Sequence, residues 1–339
     1  MTCPHCSAVV PGGARFCEAC GANLAPVSGV TGEHCRCGAG PDAKGTDGYC
    51  SVCGLRWPAA REPLPRDHVE VVLTPTFAGV TDRGKRHTCN EDALALADVP
   101  EDTSAALLVV CDGVSSAQRA DEASDAAAQA ACVVLRVAVQ DAVVRGLTED
   151  SPAMREAIME AAIAAAHEAA CAISYDPDKP KDPPGATVVA ALVRGGTATL
   201  GWLGDSRAYW ISPSSATLLT HDHSWVNAVV DAGEMNEEDA LKAPEAHAIT
   251  RCLGPLNDGV PEPTIRTVAL NGPGCLLLCT DGLWNYAPET DQLAALVRAA
   301  SGDALAVCRS LVEFALSKGG RDNITAALFA VGEKTGAGD

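Results

Sequence analysis

Beyond residue 76 the chain alternates between dense apolar runs and polar breaks. ALLVVCDG at 106–113 is an unbroken apolar run closed by a turn signal, which predicts a strand buried on both faces. DEASDAAAQAACVVLRVAVQDAVVRG at 121–146 places its apolar residues at helical spacing and stops at glycine, so a long helix is predicted there. A second long helix is predicted at 151–173, with Ser151 as N-cap and Pro152 in the first turn. DPDKPKDPPG at 176–185 reads as a loop. TVVAALVRGGTATLGWLGDSRAYWI at 187–211 predicts three short strands, with Gly195–Gly196 as a hairpin turn. Further strands are predicted at 264–270, 275–280 and 324–331, and helices at 290–299 and 302–317. Hairpins interspersed with paired helices predict an α+β domain, with helices packed on a mostly antiparallel double sheet.

The chain before residue 76 lacks this periodicity and is punctuated by cysteines instead. Eight of the 16 cysteines fall within the first 53 residues. They form two sets: Cys3-x-x-Cys6 with Cys17-x-x-Cys20, and Cys35-x-Cys37 with Cys50-x-x-Cys53. A tight turn presents two thiolates to one side of an ion, and tetrahedral zinc wants four. Each set therefore predicts one structural Zn²⁺, and His34 is an alternative ligand in the second. Each half is too short to build its own core, so the metal would supply the folding free energy. The segment resembles tandem zinc ribbons. The other eight cysteines, among them Cys111, Cys132, Cys171, Cys275, Cys279 and Cys308, sit in apolar stretches and read as small buried hydrophobes. The organisation predicted is a double zinc ribbon at 1–57, a linker at 58–75 holding four prolines and running into a first strand, a large domain at 76–333 and a disordered tail at 334–339.

Charge narrows the partners. The formal net charge is −19, which disfavours nucleic acid and anionic membrane surfaces. Residues 1–57 carry four basic and four acidic side chains, and thiolate-bound zinc adds negative charge, so the ribbons predict protein contact rather than DNA binding. No apolar run was read as long enough, about 18–20 residues, to span a membrane, and the N-terminus has no secretory pattern. The expectation is a soluble, cytoplasmic protein.

Carboxylates recur where apolar strands end: Asn90-Glu91-Asp92, Asp112-Gly113, Gly204-Asp205-Ser206-Arg207, Asp281-Gly282 and Asp322-Asn323. One Asp-Gly is only a turn. Several acids gathered at one sheet edge would repel one another unless a cation sat between them. Glycine after the acid would let a ligand approach the backbone.

Taken in order, TDRGKRHTCNEDA (81–93), VVCDGV (109–114), GATVVAALV (185–193), GDSRAY (204–209), HAITRCLG (247–254), LLLCTDGLW (276–284) and GGRDNITAALF (319–329) resemble the metal-dependent protein phosphatases of type 2C. The resemblance implies a four-layer α-β-β-α sandwich with two Mn²⁺ or Mg²⁺ ions at its edge. It implies that Asp112 bridges the ions, that the Gly113 carbonyl and Glu91 serve one of them, and that Asp281 and Asp322 hold the other. Asp92 would orient metal-bound water, and Asp205 matches a third metal position found in some members. The implied activity is hydrolysis of phosphoserine and phosphothreonine in proteins by a metal-bridged hydroxide, with zinc ribbons for docking. The implied partners are phosphorylated proteins, a Ser/Thr kinase and its substrates. Two positions depart from the family. The phosphate-gripping arginine is replaced by His87, which the register implies as the phosphate-binding residue with neighbouring Arg86 as the alternative, and Val114 stands where some members carry a proton-donating histidine. The alternative function is an inactive, phosphate-binding scaffold. Residues 222–248 fall at the family's flap and read as polar and helical.

Overall fold

The computed structural model describes residues 66–147, 151–256 and 259–332, with Gly40, Ala43 and Val52. The eight zinc-ribbon cysteines, His34 and the predicted tail at 334–339 lie outside the described residues.

In chain order the elements are β1 (His68–Thr74), β2 (Phe77–Asp82), β3 (Ala93–Asp98), β4 (Ala106–Cys111), α1 (Ala120–Val144), α2 (Pro152–Cys171), β5 (Val188–Arg194), β6 (Thr197–Leu203), β7 (Arg207–Ile211), β8 (Ala216–Leu218), α3 (Trp225–Asp231), α4 (Glu237–Ala240), β9 (Thr264–Ala269), β10 (Gly274–Cys279), α5 (Asp281–Trp284), α6 (Thr290–Ala299), α7 (Ala304–Lys318) and β11 (Ile324–Val331). One sheet runs β1-β2-β11-β10-β7-β8 and the other β3-β4-β5-β6-β9. Every paired neighbour is antiparallel.

Three hydrophobic layers fix the order of the sandwich. α1 and α2 cover the five-stranded sheet through Ala127, Leu135, Met159 and Ile163. α6 and α7 cover the six-stranded sheet through Leu293, Leu311 and Val312. Between the sheets lie Phe77, Leu108, Val110, Leu200, Leu276 and Leu278. Alternate residues of β4 feed opposite layers: Leu107 faces the helices and Leu108 the facing sheet. That is why ALLVVC is apolar throughout; each fully buried leucine contributes about 1.5–3 kcal/mol. The result is the α-β-β-α sandwich.

Local signals behave as their chemistry requires. The Ser151 hydroxyl accepts from Met154 N at 3.2 Å and caps α2. Gly195 and Gly196 adopt φ 59° and 75°, the left-handed pair that a tight hairpin between β5 and β6 needs.

Two sequence readings are corrected. The domain boundary moves: β1, the first strand that the linker was expected to run into, lies wholly before residue 76. HVEVVLT alternates exposure and partial burial as an edge strand, and Val71 and Leu73 pack on the inter-sheet layer. Secondly, α1 is long and apolar enough to cross a membrane by length and composition. In the fold its apolar face is spent on α2 and the five-stranded sheet. The free cysteines Cys111, Cys132, Cys275, Cys279 and Cys308 are buried, and Cys171 is partly exposed. Burial pushes the Cys132 and Cys275 thiols up to about 11, which makes them inert.

Candidate active site

The strand ends that carry the carboxylates meet at one edge of the sandwich. Asp112 follows β4, Asp205 lies between β6 and β7, Asp281 opens α5 just after β10, and Asp322 precedes β11. These four line one cavity of about 560 Å³, with Gly113, Gly282 and Thr187. Glu91 and Asp92 stand behind them, where the chain crosses from β2 in one sheet to β3 in the other.

Hydrogen bonds hold this edge. Gly113 N donates to Glu91 O at 3.1 Å, and Thr187 N donates to Asp112 O at 2.7 Å. The Thr187 hydroxyl accepts from Asp112 N at 3.2 Å and pairs with the buried Ser206 hydroxyl at 2.8 Å. Asp92 is 1% exposed; its Oδ2 accepts from Thr280 at 2.8 Å and from Thr325 at 2.7 Å. Its Oδ1 is buried without a protein partner.

The carboxylates suffer the crowding that their spacing in sequence suggested. Burial, followed by the like charges of Asp92 and Asp281, pushes Asp112 well above the usual carboxylate range. Burial, then Asp205 and Asp322, does the same to Asp281. Burial raises Asp205 to about 6, with Asp222 adding to the rise. It raises Asp92 to about 7, against the opposing hydroxyls of Thr325 and Thr280. An all-oxygen donor set with an orphaned buried oxygen fits a hard divalent cation, whose charge would reverse each of these shifts.

The glycines after the acids have a different cause from the one read in the sequence. A Cβ on Gly282 would stand 1.8 Å from Asn323 O, and one on Gly113 would stand 2.7 Å from Glu91 O and 2.8 Å from Ala120 O. Protein backbone, not a ligand, fills the space. Glycine lets the ligand-bearing loops pack directly on each other.

His87 and Arg86 are not among the side chains lining the cavity. His87 Nε2 lies 3.1 Å from Asp322 Oδ1, and its Nδ1 lies 3.8 Å from Glu91 Oε2. Glu91, followed by Asp322, holds this imidazole above the ordinary histidine value. Arg86 is exposed. The guanidinium at the cavity wall is that of Arg321, which makes no ion pair among the described residues. Sequence reading passed over it, although it directly precedes the Asp322 ligand position.

Two further devices were not legible. Asn323, 3% exposed, donates through Nδ2 to Arg83 O at 2.8 Å and Cys89 O at 3.1 Å, and accepts from Glu91 N at 2.8 Å. It ties the Glu91 segment to the foot of β11. The second is a stack. Arg207 grips Asp222 with contacts of 2.7–3.1 Å and lies 3.6 Å over the Trp284 ring. Trp284 Nε1 donates to Asp205 O at 3.0 Å. Because Trp284 ends the helix that Asp281 begins, one side chain links two acid-bearing loops to the root of the flap. At the flap itself, α3 and α4 are short helices, as read, but only α4 is polar: α3, WVNAVVD, is mostly apolar and buries Val226; His221 and Asp231 pair at the surface at 2.8 Å.

An acidic, glycine-bounded cluster of oxygen donors at the edge of an α-β-β-α sandwich is suited to divalent cations and phosphate esters. Comparison with known proteins agrees: residues 81–313 match the protein phosphatase 2C family, and the chain belongs to that family. Residues 2–24 match the zinc-ribbon domain, a span holding Cys3, Cys6, Cys17 and Cys20. A serine/threonine phosphatase from Listeria welshimeri is 36% identical over 151 residues, which cover 42% of this chain and 56% of that protein. A serine/threonine protein phosphatase from Mycobacterium tuberculosis is 29% identical over 257 residues, covering 75% of this chain and 45% of that protein. The chain thus spans about half the length of these relatives, 56% and 45%. The crystal structure of a Staphylococcus aureus serine/threonine phosphatase superposes with a TM-score of 0.61 at 27% identity, covering 78% of this chain and 98% of that one.

Proposed function

We propose that this chain hydrolyses phosphoserine and phosphothreonine in proteins, using two Mn²⁺ or Mg²⁺ ions and a third position at Asp205. The observation that carries the reading is the gathering of Asp112, Asp205, Asp281 and Asp322 around one cavity, each with oxygen donors and no neutralising cation paired to Asp112 or Asp281. When bound, the ions acidify water near neutral pH and draw charge from the phosphoryl oxygens. The chain's residues divide the remaining work. Asp112, Asp281, Asp322, Glu91 and the Gly113 carbonyl hold the ions. Asp92, fixed by Thr280 and Thr325, presents Oδ1 to orient the attacking water. Arg321, at the wall, meets the phosphoryl oxygens, while His87 stays engaged with Glu91 and Asp322.

The two cysteine sets hold two structural Zn²⁺ ions and dock protein partners: phosphorylated proteins, including a Ser/Thr kinase and its substrates. The setting proposed is cytoplasmic. The test is hydrolysis of a phosphothreonine peptide by the metal-stripped chain after Mn²⁺ or Mg²⁺ is restored, beside Asp281→Ala. Metal-dependent turnover lost in the variant supports the reading. A folded chain that binds manganese without turnover makes it a phosphate-binding scaffold.

A further inference from the structure

The reaction proposed above has a requirement that the carboxylates do not meet. When the P–O bond to serine or threonine breaks, the departing oxygen is a strongly basic alkoxide unless it receives a proton as the bond opens. The cavity wall offers few groups able to give one. Arg321 does not release its proton in proteins, and the hydroxyls of Ser115, Ser116 and Tyr286 are weak acids. The acids on the floor are committed to cations. The remaining group is His247, which lines the wall from the flap.

Six histidines fall within the described residues, and the other five are engaged. His68 pairs with Asp82 and Glu70 at 2.7 and 3.2 Å. His87 lies against Asp322 and Glu91. His167 Nδ1 accepts from Gly254 N at 3.3 Å, and its Nε2 faces Cys171. His221 holds Asp231, and His223 accepts from Gly204 N at 3.3 Å and reaches Thr264 at 2.9 Å. The His247 ring has no partner among the described residues, yet its backbone is pinned on its C-terminal side. Trp225 N donates to Ala248 O at 2.8 Å, and Thr250 N donates to His223 O at 2.7 Å. Ile249 forms an antiparallel bridge with Ser224. A fixed backbone thus carries an exposed imidazole at the wall of the acidic cavity.

We infer that His247 is the proton donor to the leaving oxygen of the phosphoserine or phosphothreonine substrate, an assignment that rests on the phosphatase reading. In the step, the ester P–O bond breaks and the imidazolium N–H proton passes to the departing oxygen, releasing the alcohol. The new P–O bond forms to the oxygen of the incoming water, whose proton leaves to solvent. The neutral ring then takes a proton back from solvent.

The experiment compares wild type with His247→Asn and His247→Ala on two substrates in Mn²⁺. One is a phosphothreonine peptide; the other is p-nitrophenyl phosphate, whose aryl oxide departs without a proton. The expected result is a fall in peptide kcat/KM of about 10²–10⁴-fold, with a p-nitrophenyl phosphate loss of less than about tenfold. Added imidazole should restore part of the turnover of His247→Ala. Equal losses on both substrates, or no loss on the peptide, would overturn the assignment while leaving the phosphatase reading intact. A wild-type chain inactive on both substrates would defeat the phosphatase reading and the assignment with it.

Discussion

Asn323→Ala puts the strongest demand on this account of how the site is held. The amide makes three neutral hydrogen bonds, to Arg83 O, Cys89 O and Glu91 N, from a position 3% exposed to solvent. Each is worth about 1 kcal/mol net, and truncation strands two carbonyls and one N–H whose desolvation is no longer repaid. Water entering the part-buried gap recovers some of that. The expected loss is about 3–4 kcal/mol, equivalent to roughly 6–16 °C in Tm for a domain of this size. Asn323→Asp should fare no better, because it keeps the acceptor for Glu91 N but turns both donors into acceptors facing carbonyls. Urea unfolding followed by tryptophan fluorescence, with an unchanged slope, gives the stability directly. Asn236→Ala is the contrast. That side chain caps the exposed α4 through Asp239 N at 2.9 Å, so its loss should cost about 1 kcal/mol or less. Equal midpoints for the Asn323 and Asn236 variants would refute the claim that Asn323 clamps the Glu91 segment.

Other outcomes follow from the same geometry. Trp284→Phe keeps a ring beneath Arg207 but removes the donor to Asp205 O; it should cost about 1 kcal/mol in stability and weaken Mn²⁺ binding measured by calorimetry. Arg207→Met and Asp222→Asn each strand a largely buried partner, so each should cost about 3 kcal/mol, and a double-mutant cycle should return a coupling well above 1 kcal/mol. Gly282→Ala cannot keep the native backbone with a Cβ 1.8 Å from Asn323 O, and thermal melts should place it among the least stable single variants. His223 is held down to about 4, mainly by burial, then by Arg251 and His221. The unfolded chain therefore binds the extra proton between about pH 6.5 and 4, and stability should fall as pH drops through that window. Solvent screening of a half-buried ring limits the effect to the order of 1–2 kcal/mol, and His223→Asn should remove it from a stability-versus-pH series.

Much of the fold was legible because its signals are local. β4 is apolar at every position, α2 opens on Ser-Pro, and the β5–β6 turn is Gly-Gly; each element states its own conformation. β1 was expected as the strand that the proline-bearing linker runs into, but a short alternating strand next to prolines does not mark where the domain starts. The acids were legible as strand-end repeats, since each sits beside an apolar run. What holds and surrounds them was not. Asn323 meets Arg83, Cys89 and Glu91 across more than 230 residues of chain, and no spacing encodes that meeting. The glycine after Asp281 was visible, but its cause was not, because the atom that excludes a side chain belongs to Asn323. Arg321 and His247 become candidates only once a cavity exists for them to line.

The central claim is that Asp112 and its neighbours form a divalent-cation centre. The most direct test is calorimetric titration of Mn²⁺ into the metal-stripped full chain and into Asp112→Asn, with circular dichroism confirming that both are folded. The account predicts saturable Mn²⁺ binding by the wild type that is lost or severely weakened in the variant. Identical isotherms for the two would contradict it.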